Sequence, residues 1–135
     1  MIEEYGDQVR LAIIHHPYRY RDYAHLSAQA AEAARAQGKF WEMHDLMLER
    51  KRLDRDSLVG YAGELNLDVA RFTRELDGEK YLARINQDVD LAQKLDIYQT
   101  PTFFINGRKI VGERPFEDFK KIIDEELAKA KSTGD

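Results

Sequence analysis

The chain has 135 residues, with 21 Lys and Arg against 25 Asp and Glu, a net charge of −4 and no cysteine. Domains commonly contain roughly 100–200 residues, so the length predicts one domain. The missing cysteines exclude a disulfide framework, a cysteine-based zinc site and a thiol nucleophile. An acidic pI near 5.6 argues against the strongly basic face that is typical of nucleic-acid-binding proteins.

The first residues, MIEEYGDQ, are acidic where a signal peptide has a basic region followed by an apolar one. No apolar run approaches the ~20 residues of a membrane-spanning helix. The sequence as written therefore predicts a cytoplasmic protein, or an extracytoplasmic one if the true N-terminus lies upstream.

The first predicted element is a strand. Residues 9–14, VRLAII, are apolar and partly β-branched, and Pro17 follows them, which is typical of a buried strand. Residues 23–49 then have an alanine-rich pattern that predicts helix. Because glycine suits the residue after a helix, Gly38 is expected to divide this stretch into two helices.

Three more helices follow in the predicted order. Asp54 and Asp68 suit the N-cap positions of the third and fourth helices, which are expected to end at Asn66 and Gly78. Helical spacing marks a fifth apolar face, formed by Leu82, Ile85, Val89 and Ala92.

The pattern then becomes strand-like. Thr102–Ile105 and residues 109–111 flank Asn106-Gly107, the dipeptide that best accepts the two positive φ angles of a type I′ hairpin turn. A last helix is expected from Pro115, with residues 129–135 fraying. The apolar face of this last helix is expected to contain Phe116, Phe119, Ile123 and Leu127. The order strand, five helices, hairpin and helix predicts one α/β domain over residues 1–135.

Three stretches of the sequence resemble the DsbA-like branch of the thioredoxin superfamily. They are QGKFWEMHDLM at residues 37–47, the helix pair around LNLDVARF, and TPTFFINGRKIVGERPFEDF at residues 100–119. The resemblance implies a thioredoxin-like sheet with a helical insertion at about residues 23–95, in a family of thiol-disulfide oxidoreductases. It also implies a cis Thr100-Pro101 bond and a peptide-binding site at Thr100, Pro101 and Thr102.

The same resemblance implies that part of the family's site is missing. The family places a central strand and a Cys-x-x-Cys helix before the strand that matches residues 9–14. The chain is therefore expected to be N-terminally truncated and to have no catalytic residues. Dithiol exchange passes through a mixed disulfide on a protein sulfur, so we expect this chain to be inactive in that reaction.

The expected gap in the sheet can be closed in two ways. The strands at residues 9–14 and 102–105 could pair directly, antiparallel, in a three-stranded sheet. A second chain could instead contribute a strand or cover the break. We expect a homodimer, because two open rows of buried backbone groups would cost a domain much of its ~5–15 kcal/mol of stability.

Three functions are compatible with this sequence. The chain could be an inert part of a disulfide oxidoreductase, or a naturally short binding or assembly module that uses the Thr100–Pro101 edge. A glutathione-dependent isomerase or transferase ranks last, because the activating residue that such enzymes need is missing from its expected position.

The histidines do not predict a metal site, and no cofactor is predicted. His15 and His16 are adjacent where the predicted strand ends, and in extended backbone their side chains would point to opposite faces. His25 and His44 lie on separate predicted helices with no carboxylate cluster nearby.

Two stretches rich in aromatic residues are expected to be structural rather than ligand-binding. Residues 18–23, YRYRDY, together with residues 50–55 have the composition of a single-strand nucleic-acid binder, but cations at a helix end also complement its dipole. We therefore expect no nucleic-acid binding. Trp41 is expected to pack in the core with Phe40 and Met43 rather than to form a ligand site.

Overall fold

A computed structural model of the chain describes residues 2–17 and 23–133, apart from the side chain of residue 2. The chain divides into two compact units, Met1–Ile14 with Gln93–Asp135, and His15–Ala92. The second unit contains most of residues 23–95, and one domain with a helical insertion stays a prediction. Within the described part of the chain, no helix is long and apolar enough to cross a membrane.

Helices dominate both units. The seven described α-helices are α1 Ile2–Tyr5, α2 Ala24–Arg35, α3 Phe40–Arg50, α4 Arg55–Glu64, α5 Val69–Asp77, α6 Leu82–Lys94 and α7 Phe116–Thr133, and a 3₁₀ turn, Gly6–Gln8, follows α1. The two strands are β1 Thr102–Ile105 and β2 Arg108–Val111. The five helices predicted between residues 23 and 95 are confirmed.

The predicted helix caps of α4 and α5 are confirmed as well. The Asp54 carboxylate accepts a hydrogen bond from the Ser57 backbone N–H at 3.1 Å, and the Asp68 carboxylate accepts one from the Arg71 N–H at 3.0 Å. Each bond satisfies a backbone donor that has no partner within its helix. Gly78 ends α5, also as predicted.

The core of the helical unit lies between α2, α3, α4 and α5. Alanines on one face of α2 leave room for larger side chains of the other helices, and Met43, Leu58 and Phe72 are completely buried there. Because α2 contributes mostly methyl groups to this interface, the neighbouring helices can approach it closely.

The hairpin and α7 build the second core. Asn106 and Gly107 have φ angles of 49° and 86°, as the predicted two-residue turn requires. The Phe103 ring lies edge-on to the Phe119 ring, with the centroids 4.8 Å apart. The buried residues of this cluster are Tyr5, Ile110, Phe119 and Ile123.

The prediction of a strand at residues 9–14 is wrong. Val9 has an extended backbone, with φ −127° and ψ 134°, but no residue of this segment belongs to a strand, and Leu11 and Ile14 are exposed. A strand needs a hydrogen-bonded neighbour as well as β-branched residues. Among the described residues the sheet has only β1 and β2, so the direct pairing considered above does not form either.

Two core assignments are also corrected. Trp41 is 39% exposed and Phe116 is 36% exposed, whereas Phe40 and Met43 are buried as expected. Successive helical residues are about 100° apart, so Trp41 lies beside the buried stripe of α3. Phe116 is the first residue of α7, and the buried residues of this helix, Phe119 and Ile123, lie further along it.

Candidate functional site

The three residues expected to bind a peptide lie together at the start of β1. The Thr100–Pro101 peptide bond is cis, and both residues are exposed, whereas Thr102 is partly buried. The Pro101 carbonyl accepts a hydrogen bond from the Gly112 N–H at 2.8 Å. The Thr102 hydroxyl donates to the Gln99 carbonyl at 2.6 Å, which fixes the loop that leads into the strand.

The register of the hairpin determines which backbone groups of β1 face outward. Ile105 pairs with Arg108 across the turn, and Phe103 pairs with Ile110. In a two-residue hairpin these pairs exchange the ladder hydrogen bonds, and the residues between them turn their N–H and C=O groups away from the partner strand. The backbone groups of Thr102 and Phe104 therefore point to the outer edge of β1, next to Pro101.

This outer edge has no neighbouring strand among the described residues, because the sheet there contains β1 and β2 alone. The side chains of Thr102 and Phe104 share the face of the sheet opposite to α7. Phe104 is 46% exposed and Val111, on the same face, is 37% exposed. An open backbone edge thus adjoins a small apolar surface, which is the combination that an added strand uses.

The other face of the hairpin is fixed to α7 and to the start of the chain. The Tyr5 hydroxyl donates a hydrogen bond to the Asp124 carboxylate at 2.7 Å. Burial of the phenol and this bond to a carboxylate raise the pKa of Tyr5. The bonds from Tyr5 and Lys120 lower the pKa of Asp124. This contact is not visible in the sequence, because it joins residues 119 positions apart.

The histidines belong to no metal-binding cluster among the described residues. His15 is buried, and its Nε2 lies 2.9 Å from the Glu32 carboxylate, which also accepts a hydrogen bond from Arg35 at 2.8 Å. No group of three or more His, Cys, Asp or Glu side chains in the described residues could hold a metal ion. The buried Glu32 was missed in the sequence, and its position inside the run AQAAEAA is the signal that could have revealed it.

Of the two basic stretches with the composition of a nucleic-acid binder, only residues 50–55 lie wholly within the described residues. Residues 18–22 lie outside the described residues. In the other stretch, Arg50 pairs with Glu64 at 2.9 Å and Arg55 pairs with Asp77 at 2.7 Å. Because carboxylates already occupy these two guanidinium groups, less positive charge is available there for phosphates.

Comparison with known proteins identifies one family. The model of a family described as thioredoxin matches residues 1–125. Similar curated proteins are named Na(+)/H(+) antiporter NhaA in Herminiimonas arsenicoxydans, 38% identical over 80% of this chain, and NhaA 3 in Salinispora tropica, 43% identical over 81%. NhaA 1 of Salinispora arenicola is 47% identical over 70% of the chain. The matches cover only 15–17% of these three proteins.

Proposed function

This chain belongs to the thioredoxin family, and from that premise we propose that it is a DsbA-like member that binds extended polypeptides without exchanging thiols itself. The observation that supports the proposal is the open outer edge of β1 beside the exposed Thr100–Pro101 loop. A chain without cysteine has no thiol that could form the mixed disulfide of a dithiol exchange.

In the proposed complex the peptide adds as a strand along β1. Its backbone exchanges hydrogen bonds with the outward N–H and C=O groups of Thr102 and Phe104. One apolar side chain of the peptide packs on the exposed Phe104 ring. This contact is favourable because it removes apolar surface from water. Because the main contacts are backbone groups, the site tolerates many sequences.

Amide exchange measured residue by residue tests this binding mode. The probe is a neutral eight-residue peptide of alternating Val and Thr. We expect it to slow the exchange of the Thr102 and Phe104 amides and to leave the outward Lys109 and Val111 amides, on the far edge of the hairpin, unchanged. Unaltered exchange at Thr102 and Phe104, with the probe in large excess, would contradict the proposal.

We propose a second copy of the chain as the partner of this edge when no peptide is bound. Two β1 strands that pair antiparallel would form one four-stranded sheet and would bring the two Phe104 side chains close together. Size-exclusion light scattering should then show a dimer at micromolar concentration, and excess Val-Thr peptide should convert it to a monomer. A monomer at that concentration without peptide would refute this partner.

Two other functions are separated by simple observations. If the chain is part of a disulfide oxidoreductase, the gene should encode an in-frame Cys-x-x-Cys upstream of Met1, whereas a stop codon there supports a binding module. A glutathione-dependent enzyme should release or absorb heat with millimolar glutathione in calorimetry, and we expect no heat. The antiport named for the relatives belongs to proteins of which the match covers about one sixth, and we do not extend it to this chain.

A further inference from the structure

The outer edge of β2 carries a basic groove that differs from the β1 edge. The groove has a volume of about 460 Å³, is open to solvent and lies beside β2 and α7. Its cations are Arg108, Lys109, Arg114 and Lys121, and Ile110 and Ile122 supply apolar surface. Positive charge and apolar contact therefore occur together here on a chain whose net charge is −4.

The charge of this groove is not neutralised by its own carboxylates. Arg108 pairs with Glu125 at 2.7 Å and with Glu126 at 3.3 Å. Lys109, Arg114 and Lys121 are exposed and form no ion pair with any described residue. Asp118 is the other carboxylate of the groove, so an excess of positive charge remains.

The backbone beside the groove is also open. Arg108 and Ile110 exchange ladder bonds with β1, so the N–H and C=O groups of Lys109 and Val111 point to the outer edge of β2. No other strand covers that edge among the described residues. A ligand with an extended backbone can therefore pair with β2 and reach the three cations at the same time.

We propose that the outer edge of β2 binds an extended acidic peptide. Its backbone pairs with Lys109 and Val111. On one face of the added strand a carboxylate lies near Lys109, and on the opposite face, towards α7, a carboxylate lies near Arg114 and Lys121 and an apolar side chain contacts Ile122. Charge decides between this occupant and a second copy of the same edge, because two β2 edges would place lysines against each other. The site is independent of the one proposed on β1.

Fluorescence anisotropy with the 135-residue chain tests this proposal. The probe is a labelled eight-residue Val-Glu peptide with the sequence Val-Glu-Glu-Val repeated twice, which places Glu on both faces of an added strand. The reference is the Val-Lys peptide of equal length, with Lys at each Glu position. Replacing Lys109, Arg114 and Lys121 by Glu should weaken Val-Glu binding at least about tenfold. The matched control replaces Arg74, Arg84 and Lys94 by Glu, which changes the net charge equally at exposed cations without ion pairs, and should change the affinity less than about twofold.

Equal weakening in the two triple variants would show a net-charge effect and overturn the proposal, as would equal binding of the Val-Lys peptide. If the first variant does not fold by circular dichroism, amide exchange of the wild-type chain decides. Slower exchange at Lys109 and Val111 with the Val-Glu peptide supports the site. Slower exchange at Thr102 and Phe104 alone overturns it.

Discussion

The Nε2 of His15 lies 2.9 Å from the Glu32 carboxylate inside the helical unit, where His15 is 9% exposed and Glu32 is 3% exposed. Arg35 donates to the other carboxylate oxygen, and its guanidinium carbon lies 4.2 Å from the centre of the Phe40 ring. The His15 backbone N–H donates to Asp88 at 3.0 Å, so the same residue also contacts α6. These contacts fix His15, the first residue of the helical unit, to α2 and α6.

Replacing Glu32 by Ala should therefore lower the free energy of unfolding. The substitution leaves the buried ring of His15 without its hydrogen-bond partner, which commonly costs about 1–3 kcal/mol of the free energy of unfolding. Glu64→Ala is the matched control, because its partner Arg50 is half-exposed and such pairs contribute about 1 kcal/mol or less. Urea denaturation of the two variants measures both losses, and equal losses would mean that the His15–Glu32 contact adds nothing.

Replacing Tyr5 by Phe should lower the free energy of unfolding at neutral pH. The difference from the wild type should be smaller in strong alkali. The raised pKa of Tyr5 means that the folded chain holds the phenol proton more tightly than the unfolded chain. The stabilisation is therefore complete below the unfolded value of 10.0 and is lost as the pH rises through the folded pKa.

The measurement compares urea midpoints of the wild type and Tyr5→Phe between pH 7 and pH 11. The wild type should be the more stable at pH 7, and the difference should shrink above pH 10. Tyr23→Phe, at a ring that is 51% exposed, is the control and should differ little from the wild type throughout. A difference between wild type and Tyr5→Phe that grows with pH would refute the assignment.

Gly107→Ala should destabilise the hairpin, whereas Gly60→Ala should stabilise the chain. Gly107 has a φ of 86°, and a left-handed conformation costs an L-residue roughly 1–2 kcal/mol. Gly60 lies within α4, and a Cβ added there meets no atom within 4 Å. Alanine in a helix interior is favoured by roughly 0.5–1 kcal/mol over glycine. Thermal denaturation should therefore show opposite shifts, and shifts of the same sign would contradict the turn or the helix.

Phe104→Lys should weaken the proposed dimer without unfolding the chain. Phe104 is 46% exposed, so its replacement removes little core packing. In the dimer the two new lysines would face each other, and like charges on neighbouring strands repel. We expect the dissociation constant to rise about tenfold or more, which equals about 1.4 kcal/mol. Leu48→Lys, at an exposed apolar residue of α3, should leave the constant unchanged, and sedimentation measures both.

The elements that the sequence predicts correctly are those whose causes are local. Asp54 and Asp68 cap helices through backbone groups three residues ahead, and Asn106-Gly107 forms its turn because only two residues must accept positive φ angles. The resemblance of TPTFFING and the flanking segments to a thioredoxin-type domain agrees with the family that matches the chain. These signals need no knowledge of distant contacts.

Other features depend on residues that are distant in the chain. Residues 9–14 have the composition of a strand, but the neighbour that would make them one is not found among the described residues. The contacts of Tyr5 with Asp124 and of His15 with Glu32, and the groove beside β2, exist only once the helices have packed. The sequence by itself determined the helices, the turn and the lack of a thiol. Only the tertiary structure decided which edges stay open and which charges are buried, because hydrogen-bond partners and burial arise from contacts between segments far apart in the chain.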